Sequence, residues 1–272
     1  MSKYFKNRVL LIYLILTACT DVVDVEVPVA PERLLIEASL AWELGTLGNV
    51  QTIKLSTSTP YFESDKEKMV TGAFVQVTNN ATGNVFVFDD QNNGDYKTSN
   101  FVPVINQSFT LEVMYNNEIY SAIETLMPVV PIDEVNQSKD QGFDKEALEV
   151  NVLFTDPAGI ENYYLLKFKQ QGDFLPDLFD FSDEFTDGNQ IAIFHENEDF
   201  EVGDTVAIEL YGVSKQYYNY IRLLIEQSSE GGPFATIPAQ LKGNCINITN
   251  PDNVAFGYFR LTQVSKESYI FE

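Results

Sequence analysis

The sequence predicts a mainly β protein built from two antiparallel β-sandwich domains, the second of which carries one amphipathic helix. Short segments with apolar residues two positions apart recur along the chain, and this alternation is typical of strands that bury one face. Turns rich in Asn and Gly separate these segments. A single segment, residues 214–227, instead has apolar residues at helical spacing.

The N-terminus has the organisation of a secretory signal. Three basic residues precede the apolar run 9–16, which is too short to cross a bilayer, since a spanning helix needs about 20 apolar residues. The run leads into LTAC, residues 16–19, which resembles a bacterial lipobox, where the peptide is cut before a cysteine that carries acyl chains. We therefore predict a lipoprotein signal peptide over 1–18 and lipidation of Cys19. The alternative is an ordinary secretory signal with an incidental cysteine.

Residues 19–31 are expected to form a lipidated tether. Asp21, Asp24 and Glu26 alternate with valines, and two prolines follow. Acidic residues close behind a lipidated cysteine resemble the surface-export signal of Bacteroidetes lipoproteins. The predicted location is therefore the outer membrane, with the chain anchored in the membrane by its N-terminal lipid and facing the cell exterior.

The charge balance limits the possible partners. The chain has 17 basic and 40 acidic residues, a net charge of −23. Cleavage before Cys19 would remove three basic residues and no acidic one, which takes −23 to −26. This charge disfavours nucleic acid, whose phosphates require Lys and Arg, and adhesion to anionic lipid. It is compatible with a cation, a basic partner or simple solubility.

The sequence lacks the motifs of common catalytic sites. It contains no G-x-S-x-G, H-E-x-x-H or P-loop motif. His195 is the single histidine, which excludes most His-rich zinc sites, and we interpret it as a surface or packing residue. Cys245 is the one cysteine besides Cys19, and we interpret it as a small core residue rather than a nucleophile. We therefore expect a non-enzymatic protein with no catalytic residues.

Six alternating segments fill the first half of the chain and predict a β-sandwich over 32–128. They are residues 33–41, 51–57, 73–79, 84–90, 108–115 and 118–124. The turns between them include TGN at 82–84, NGD at 93–95 and NN at 116–117, residue types that accept turn conformations. The mostly polar segment 129–146 is predicted to link this domain to the next.

A second set of alternating segments predicts a C-terminal β-sandwich over 147–272. These segments are residues 147–155, 162–170, 189–195, 204–212, 255–263 and 268–272. Repeated short strands with this spacing favour a sandwich over an α/β fold.

The predicted helix lies inside this second domain. In the stretch SKQYYNYIRLLIEQ (214–227), the residues at helical spacing are Tyr217, Tyr220, Ile221, Leu224 and Ile225. Ser214 is a suitable N-cap, and Gly231-Gly232-Pro233 would end the helix. We expect the aromatic stripe to pack on the second sheet.

Several longer stretches occur in an order that resembles one protein family. Among them are RLLIEASLAWE from residue 33, FTDPAGIENYYLLKF from 154, VGDTVAIELYGVSKQYYNYIRLL from 202 and NPDNVAFGYF from 250. Together with the lipobox, they resemble an uncharacterised family of Bacteroidetes outer-membrane lipoproteins, a domain-of-unknown-function family, over essentially the whole mature chain. Members are often encoded beside a TonB-dependent receptor, so the resemblance implies an accessory role in outer-membrane uptake. It brings no established catalytic residues.

The first half also resembles prealbumin-like and carboxypeptidase-regulatory-like β-sandwiches. The residues that carry this resemblance are Gly72-Ala73-x-Val75-x-Val77, Gly94-Asp95-Tyr96, Phe109-x-Leu111-x-Val113 and Tyr120-x-Ala122. The resemblance implies an Ig-like or prealbumin-like fold and a role as a spacer or docking module. Where such modules often have a glycine before the strand at Phe109, this chain has Asn106-Gln107-Ser108, which is still suitable for a turn.

The candidate functional residues lie in the stretch GDFLPDLFDFSDEFTDGNQ, residues 172–190, which we call the acidic segment. It belongs to a longer region, 170–214, that has twelve Asp or Glu residues and no Lys or Arg. Clustered carboxylates repel one another unless a cation or a basic partner neutralises them. The candidate residues for binding a partner or cation are Asp177, Asp180, Asp183, Glu184, Asp187, Asn189, Phe179, Phe181 and Phe185.

Three interpretations of the acidic segment remain open. Asp183, Asp187 and Asn189 are able to supply some of the six to eight oxygens that Ca²⁺ takes, although no Glu stands at the closing position of the loop. A second interpretation is a loop or short helix that buries its aromatic residues on the second sheet. The third is a surface that docks on a partner or holds a ligand.

The leading functional prediction is a non-enzymatic accessory of a TonB-dependent outer-membrane transporter, which binds ligand or stabilises the assembly. The alternative is a free-standing surface adhesion or carbohydrate-binding protein, since β-sandwiches often have that role. A surface hydrolase that uses Asp183 and Asp187 is a third possibility, without a supporting motif.

Overall fold

A computed structural model describes residues 31–59, 68–142, 144–145, 147–228 and 241–272. The predicted signal peptide, Cys19 and nearly all of the tether lie outside these residues, and so does the predicted helix stop at 231–233. The described residues form sixteen strands and one helix. The predicted mainly β class with a single helix is confirmed.

Strands of the first half follow the predicted segments closely. Their bounds are β1 Leu34–Glu43, β2 Gln51–Thr57, β3 Lys68–Met69, β4 Phe74–Asn79, β5 Val85–Asp90, β6 Asp95–Thr98, β7 Ser108–Tyr115 and β8 Glu118–Thr125. Only β3 and β6, both of four residues or fewer, lie outside the predicted segments. Positive φ angles at Asn116 and Asn117 (48° and 61°) form the tight β7–β8 turn, as Asn tolerates this conformation.

The second half contains the predicted helix, and three of its strands were not predicted from sequence alternation. The bounds are β9 Glu134–Ser138, β10 Glu149–Thr155, β11 Tyr163–Gln170, β12 Asp177–Ser182, β13 Gln190–Glu196, β14 Thr205–Gly212, α1 Lys215–Ser228, β15 Ile246–Asn247 and β16 Phe256–Ile270. Of these three, β9 lies in the predicted linker, β12 lies in the acidic segment and β15 lies between the helix and β16. The predicted strands 255–263 and 268–272 form one continuous strand, β16.

Thirteen of these strands belong to one hydrogen-bonded sheet. Its order is β12-β11-β14-β16-β1-β2-β6-β5-β4-β7-β8-β15, with β3 on β2, and a separate sheet has the order β13-β10-β9. β5 pairs with β4 through its earlier residues and with β6 through Asp89 and Asp90, so it connects the two layers of the first half. The strand pairs are antiparallel except β1 with β16, which are parallel from Leu35↔Phe256 to Glu43↔Val264.

The first core fills the space between β1, β2 and β6 on one side and β4, β5, β7 and β8 on the other. On β7, Phe109, Leu111 and Val113 are buried while the intervening side chains face outward. Burying side chains of this size contributes about 1.5–3 kcal/mol each. The later part of the chain adds Cys245, Ala255, Phe259 and Leu261 to this core. The boundary between domains at 129–146 stays a prediction.

The second core lies between the three-stranded sheet and the part of the thirteen-stranded sheet that contains β11 and β14. Alternate residues of β10, β11 and β14 fill it, together with Ile191, Phe200 and Phe271. β16 serves both halves, because its first residues pair with β1 and its last residues, Val264 to Ile270, pair with β14.

Helix α1 packs its aromatic face on the outer side of β11, β14 and β16. Tyr217, Tyr218 and Ile221 are buried against residues that include Leu165, Tyr211 and Val264. The expected packing of the aromatic stripe on the second sheet is therefore confirmed. Leu224, which the helical spacing placed on the same face, is exposed, so the buried face of the helix is narrower than predicted. No helix in the described part of the chain has the length and apolar character of a bilayer span.

Candidate functional site

The centre of the acidic segment is a strand. Residues Asp177–Ser182 form β12, which pairs with β11 from Tyr163↔Ser182 to Phe168↔Asp177. The alternation in DLFDFS sends Phe179 and Phe181 to the second core, where their rings lie 5.4 Å from Phe168 and 6.5 Å from Phe154. The expectation of a loop or short helix is thus wrong for 177–182, whereas the expected burial of aromatic residues holds for these two.

Large apolar side chains are exposed at both ends of β12. Phe174 and Leu175, in the β11–β12 turn, are 91% and 70% exposed, and Phe185, just after β12, is 91% exposed. Phe185 is therefore the predicted aromatic residue that is open to a partner, while Phe179 and Phe181 are engaged in packing. Alternation along 177–182 was the available signal for this division, because Phe179 and Phe181 are two residues apart on one face of the strand, whereas Phe185 lies beyond its end.

Three aspartates lie together near the end of β12. The side chains of Asp156, Asp183 and Asp187 offer carboxylate oxygens that all lie within 4.8 Å of one another. Asp156 and Asp183 are buried, and Asp187 is exposed. In the described structure none of the three forms an ion pair with Lys, Arg or His. We call these residues the aspartate cluster.

Hydrogen bonds hold the aspartate cluster in place. Asp156 accepts hydrogen bonds from the Tyr164 hydroxyl at 2.6 Å and the Gly188 amide at 3.1 Å. Asp183 accepts one from the Asn162 amide at 2.8 Å, and Asp187 one from the Gly159 amide at 2.7 Å. Burial, followed by the bond to Asp156, raises the pKa of Tyr164, so the phenol stays a donor. These neutral donors offset only part of the repulsion between three carboxylates.

The sequence identified two members of the aspartate cluster and missed the third. Asp183 and Asp187 were predicted together with Asn189, but Asp156 comes from the loop after β10. The Asp156 amide donates to the Asn189 carbonyl at 3.0 Å, and this bond ties the two loops together. Asp156 directly follows the predicted strand 147–155, in a D-P-x-G turn. This turn was the available signal that Asp156 lies at the same end of its strand as the loop that contains Asp183 and Asp187. The Asn189 side-chain amide donates to the Asp187 carbonyl at 3.5 Å.

At the other end of β12, Asp177 contacts the only histidine of the chain. His195 Nε2 lies 3.1 Å from Asp177 Oδ2. The imidazole is buried between the rings of Phe168, Phe179 and Phe200, with centroids 4.9 to 5.5 Å away. Burial lowers the pKa of His195, and Asp177 offsets part of that shift. The interpretation of His195 as a packing residue is confirmed. An open cleft of about 590 Å³ with several carboxylates, including Asp199, lies beside it.

The remaining predicted acids face α1. Asp180 is partly buried on β12 opposite Leu165, and Glu184 is exposed. A groove of about 270 Å³ between this edge and the helix is lined by residues that include Glu184 and Arg222. The acidic segment is thus divided between two ends and one face of β12, and it does not form a single site.

Cys245 has no property of a nucleophile. Its side chain is buried in the first core, and burial raises the pKa of its thiol to about 12. A thiol of that pKa stays protonated at neutral pH, whereas catalytic cysteines need a lowered pKa. This agrees with the interpretation of Cys245 as a core residue.

Comparisons with solved structures give distant similarities. A DUF4785 family protein from Legionella pneumophila is 13% identical, with a TM-score of 0.28, over 65% of this chain and 52% of that one. The chain therefore spans about half the length of that protein. A two-domain fibronectin type-III segment from chicken tenascin is 11% identical, with a TM-score of 0.23, over 59% and 83% of the two chains. TM-scores this low do not support a fold assignment. The β-sandwich assignment therefore rests on the strand pairing of this chain.

Sequence comparison identifies the family. Among curated proteins, none matches the chain. One family, described as Domain of unknown function (DUF4249), matches residues 20–268. This match covers nearly all of the chain apart from the predicted signal peptide. The chain therefore belongs to the DUF4249 family.

Proposed function

We propose that this protein is a lipid-anchored outer-membrane protein that acts, without catalysis, as a partner of a TonB-dependent transporter. The lipobox at 16–19 and the family resemblance support the location and the kind of partner. The observation that carries a binding role is the exposure of Phe174, Leu175 and Phe185 at the two ends of β12.

Exposed aromatic side chains in this setting favour protein binding. Phe and other aromatic residues are enriched in the central part of interfaces, and a few of them contribute most of the binding energy. Here the two phenylalanines stand beside carboxylates, which include Asp173 next to Phe174 and Glu184 next to Phe185. A partner surface with apolar pockets and basic residues around them would match this pattern. We propose that the acidic segment contacts the transporter or its incoming ligand.

The alternative of a free-standing carbohydrate-binding protein has weaker support. Such proteins usually stack sugars on exposed Trp or Tyr rings. Trp42 packs partly against the first core and donates its indole N–H to the Thr46 carbonyl at 2.9 Å. Within the described ranges, every Tyr side chain is buried or partly buried. These rings offer no fully exposed platform.

Affinity purification from native outer membrane tests the proposal. The tagged full-length protein is solubilised in mild detergent, captured and analysed by mass spectrometry, together with Cys19→Ser, Phe174→Ser and Phe185→Ser. A stoichiometric TonB-dependent transporter is expected with the unchanged chain, and its recovery should fall with Phe174→Ser or Phe185→Ser. Cys19→Ser should release the protein from the membrane fraction.

A matched control separates docking from general stickiness. Val202 is also a strongly exposed apolar residue but lies outside the acidic segment, so Val202→Ser should leave transporter recovery unchanged. A protein recovered alone from intact membranes, yet accessible to protease on whole cells, would overturn the transporter proposal in favour of a free-standing binder. Hydrolysis of a surface polymer that is lost with both Asp183→Ala and Asp187→Ala would overturn the non-enzymatic part.

A further inference from the structure

The layer formed by β5, β4, β7, β8 and β15 has an apolar outer face. Its inner face fills the first core, and an antiparallel sheet that packs on one side usually exposes polar residues on the other. Here six large apolar side chains on the outer side of these strands are between 41% and 62% exposed. They are Phe74, Val85, Val87, Met114, Ile123 and Ile246. We call the surface that they form the outer apolar face.

The strand register brings one row of apolar side chains together at one end of this face. Phe74 on β4 pairs with Met114 on β7, which pairs with Ile119 on β8. The amide of Ile248 donates to the Ile119 carbonyl at 2.8 Å, and the Ile248 side chain is also exposed. Because directly paired residues of neighbouring strands point to the same side of a sheet, these four side chains form a continuous apolar row.

Two further rows run parallel to the first. From β5 to β15, the second row contains Val87, Gln76, Glu112, Ser121 and Ile246. From β5 to β8, the third row contains Val85, Thr78, Thr110 and Ile123. Apolar side chains therefore surround a small polar centre on three sides.

The three rows carry almost no charge. Glu112 is their one charged residue, and its carboxylate accepts a hydrogen bond from the Gln76 side-chain amide at 2.6 Å. The chain as a whole has 17 basic and 40 acidic residues, and depletion of charge is typical of the central part of protein interfaces. A partner with charged side chains at its centre would bury them unpaired on this face, which is costly. The matching surface must therefore be apolar and nearly uncharged as well.

The size of the outer apolar face agrees with the needs of a small interface. With strands about 4.8 Å apart and residues about 3.3 Å apart along a strand, the three rows span about 19 Å by 13 Å between Cα positions. Side chains extend these margins to about 500 Å², the size of the largest apolar patches on monomers, which are often functional. Two such faces in contact would bury about 1,000 Å² in total, the lower end for a specific complex. This area predicts a reversible dimer.

We propose that the outer apolar face binds the same face of a second copy of this chain. Each copy then presents an apolar, nearly uncharged surface to the other, as the charge of the face requires. The strands of the two copies stack as the two sheets of a sandwich do, and both copies contribute the same residues, as in other twofold dimers. This pairing requires neither the lipid anchor nor a transporter, so its failure would leave the proposed function unaffected.

Cross-linking through one engineered cysteine tests this pairing. Ser121→Cys places a thiol within the second row, whereas Cys245 is buried in the first core and does not compete. The full-length protein, in the membranes of the cells that produce it, is treated with a short bis-maleimide, which spans the distance of about 10 Å between stacked sheets. Ser121→Cys should give a covalent dimer. Val202→Cys, an exposed position outside the face, and the unchanged chain should give only the background from collisions and from Cys19.

Charges introduced on opposite sides of the face make the result specific. Ile123→Lys or Val87→Lys, each combined with Ser121→Cys, should lower the dimer yield about tenfold, because pairing would bury the new charge. Both positions are exposed, so the fold tolerates the longer side chain. Val202→Lys combined with Ser121→Cys is the matched control and should leave the yield unchanged. Glu112→Gln removes the one charge that pairing would bury, and it should raise the yield.

Three results would overturn the proposal. The first is a dimer yield for Ser121→Cys that does not exceed that of Val202→Cys. The second is a yield that stays equal with either lysine substitution on the face. The third is a cross-linked product whose second chain, identified by mass spectrometry, is a different protein, since that result would assign the face to that protein instead.

Discussion

His195 on β13 and Asp177 on β12 form a polar contact that joins the two sheets of the second core, with 3.1 Å between Nε2 and Oδ2. The histidine is buried among three phenylalanine rings, whereas the aspartate side chain is 58% exposed. The environment of the pair is therefore asymmetric. Desolvation acts mainly on the histidine and opposes its protonation.

Folding stability should fall as pH decreases through the range just below 6.5. Burial lowers the pKa of His195 below its ordinary 6.5 in the folded chain, so the unfolded chain binds more protons in this range, and stability present above 6.5 is lost as pH falls. Urea unfolding between pH 5 and 7.5 measures this loss. His195→Gln should remove it, and the difference between the two chains isolates the histidine from the carboxylates. Equal pH dependence of the two chains would contradict the prediction.

Neutralising one member of the aspartate cluster should stabilise the protein in the absence of divalent cations. Asp187→Asn keeps the Oδ1 acceptor for the Gly159 amide and removes one of three charges within 4.8 Å. Relief of this repulsion should stabilise the fold by about 0.5 kcal/mol, the scale of exposed charge pairs. Thermal unfolding in the presence of a chelator provides the measurement. Exposed Asp199→Asn, which lies outside the cluster, is the control, and a loss of stability in Asp187→Asn would contradict the repulsion.

Calcium addition distinguishes repulsion from cation binding at the same three residues. A ligand that binds only the folded state raises the unfolding temperature with its concentration. If the cluster only repels, calcium should shift the unchanged chain and Asp187→Asn equally. A shift confined to the unchanged chain would instead assign calcium to Asp156, Asp183 and Asp187.

Glu149→Gln should destabilise the second core. The buried Glu149 carboxylate accepts hydrogen bonds from the Ser138 hydroxyl and from the amides of Gln141 and Gly142 at 2.7 and 2.6 Å. These bonds outweigh desolvation and lower the pKa of Glu149, so its contribution is present above the ordinary glutamate pKa and is lost as pH falls through the lowered value. A glutamine side chain would present its own N–H donors to these donors. The free energy of unfolding, measured with urea, should therefore fall by about 2 kcal/mol. Exposed Glu267→Gln should cost little, and similar losses for both variants would contradict this account.

Gly257→Ala should be strongly destabilising where Gly83→Ala is not. Both glycines have positive φ angles, 88° and 74°. A Cβ at Gly257 would lie 2.1 Å from the Ile36 carbonyl oxygen, whereas a Cβ at Gly83 meets nothing within 4 Å. We expect a loss of about 3 kcal/mol at Gly257 and about 1 kcal/mol at Gly83 from the backbone angle alone. Denaturant midpoints of the two variants measure this difference, and equal losses would show that β1 and β16 separate easily at this point.

Local patterns accounted for most strands and for the helix. Phe109, Leu111 and Val113 alternate along β7 and are all buried, because the pleat of a strand decides which side chains share a face. Ser214 accepts a hydrogen bond from the Tyr217 amide at 3.2 Å, as an N-cap does. β12 was missed because its acidic residues suggested a loop, although DLFDFS alternates as well as any predicted strand.

The sequence by itself determined the β class, the alternating inner and outer faces and the position of α1, since these depend on residues close together in the chain. Only the tertiary structure decided that β1 pairs in parallel with β16 and that Asp156 joins Asp183 and Asp187. Strand pairing over such separations depends on which surfaces bury together best in the whole chain. Local periodicity predicts which residues share one face of a strand, but it does not predict which other strand pairs or packs with it.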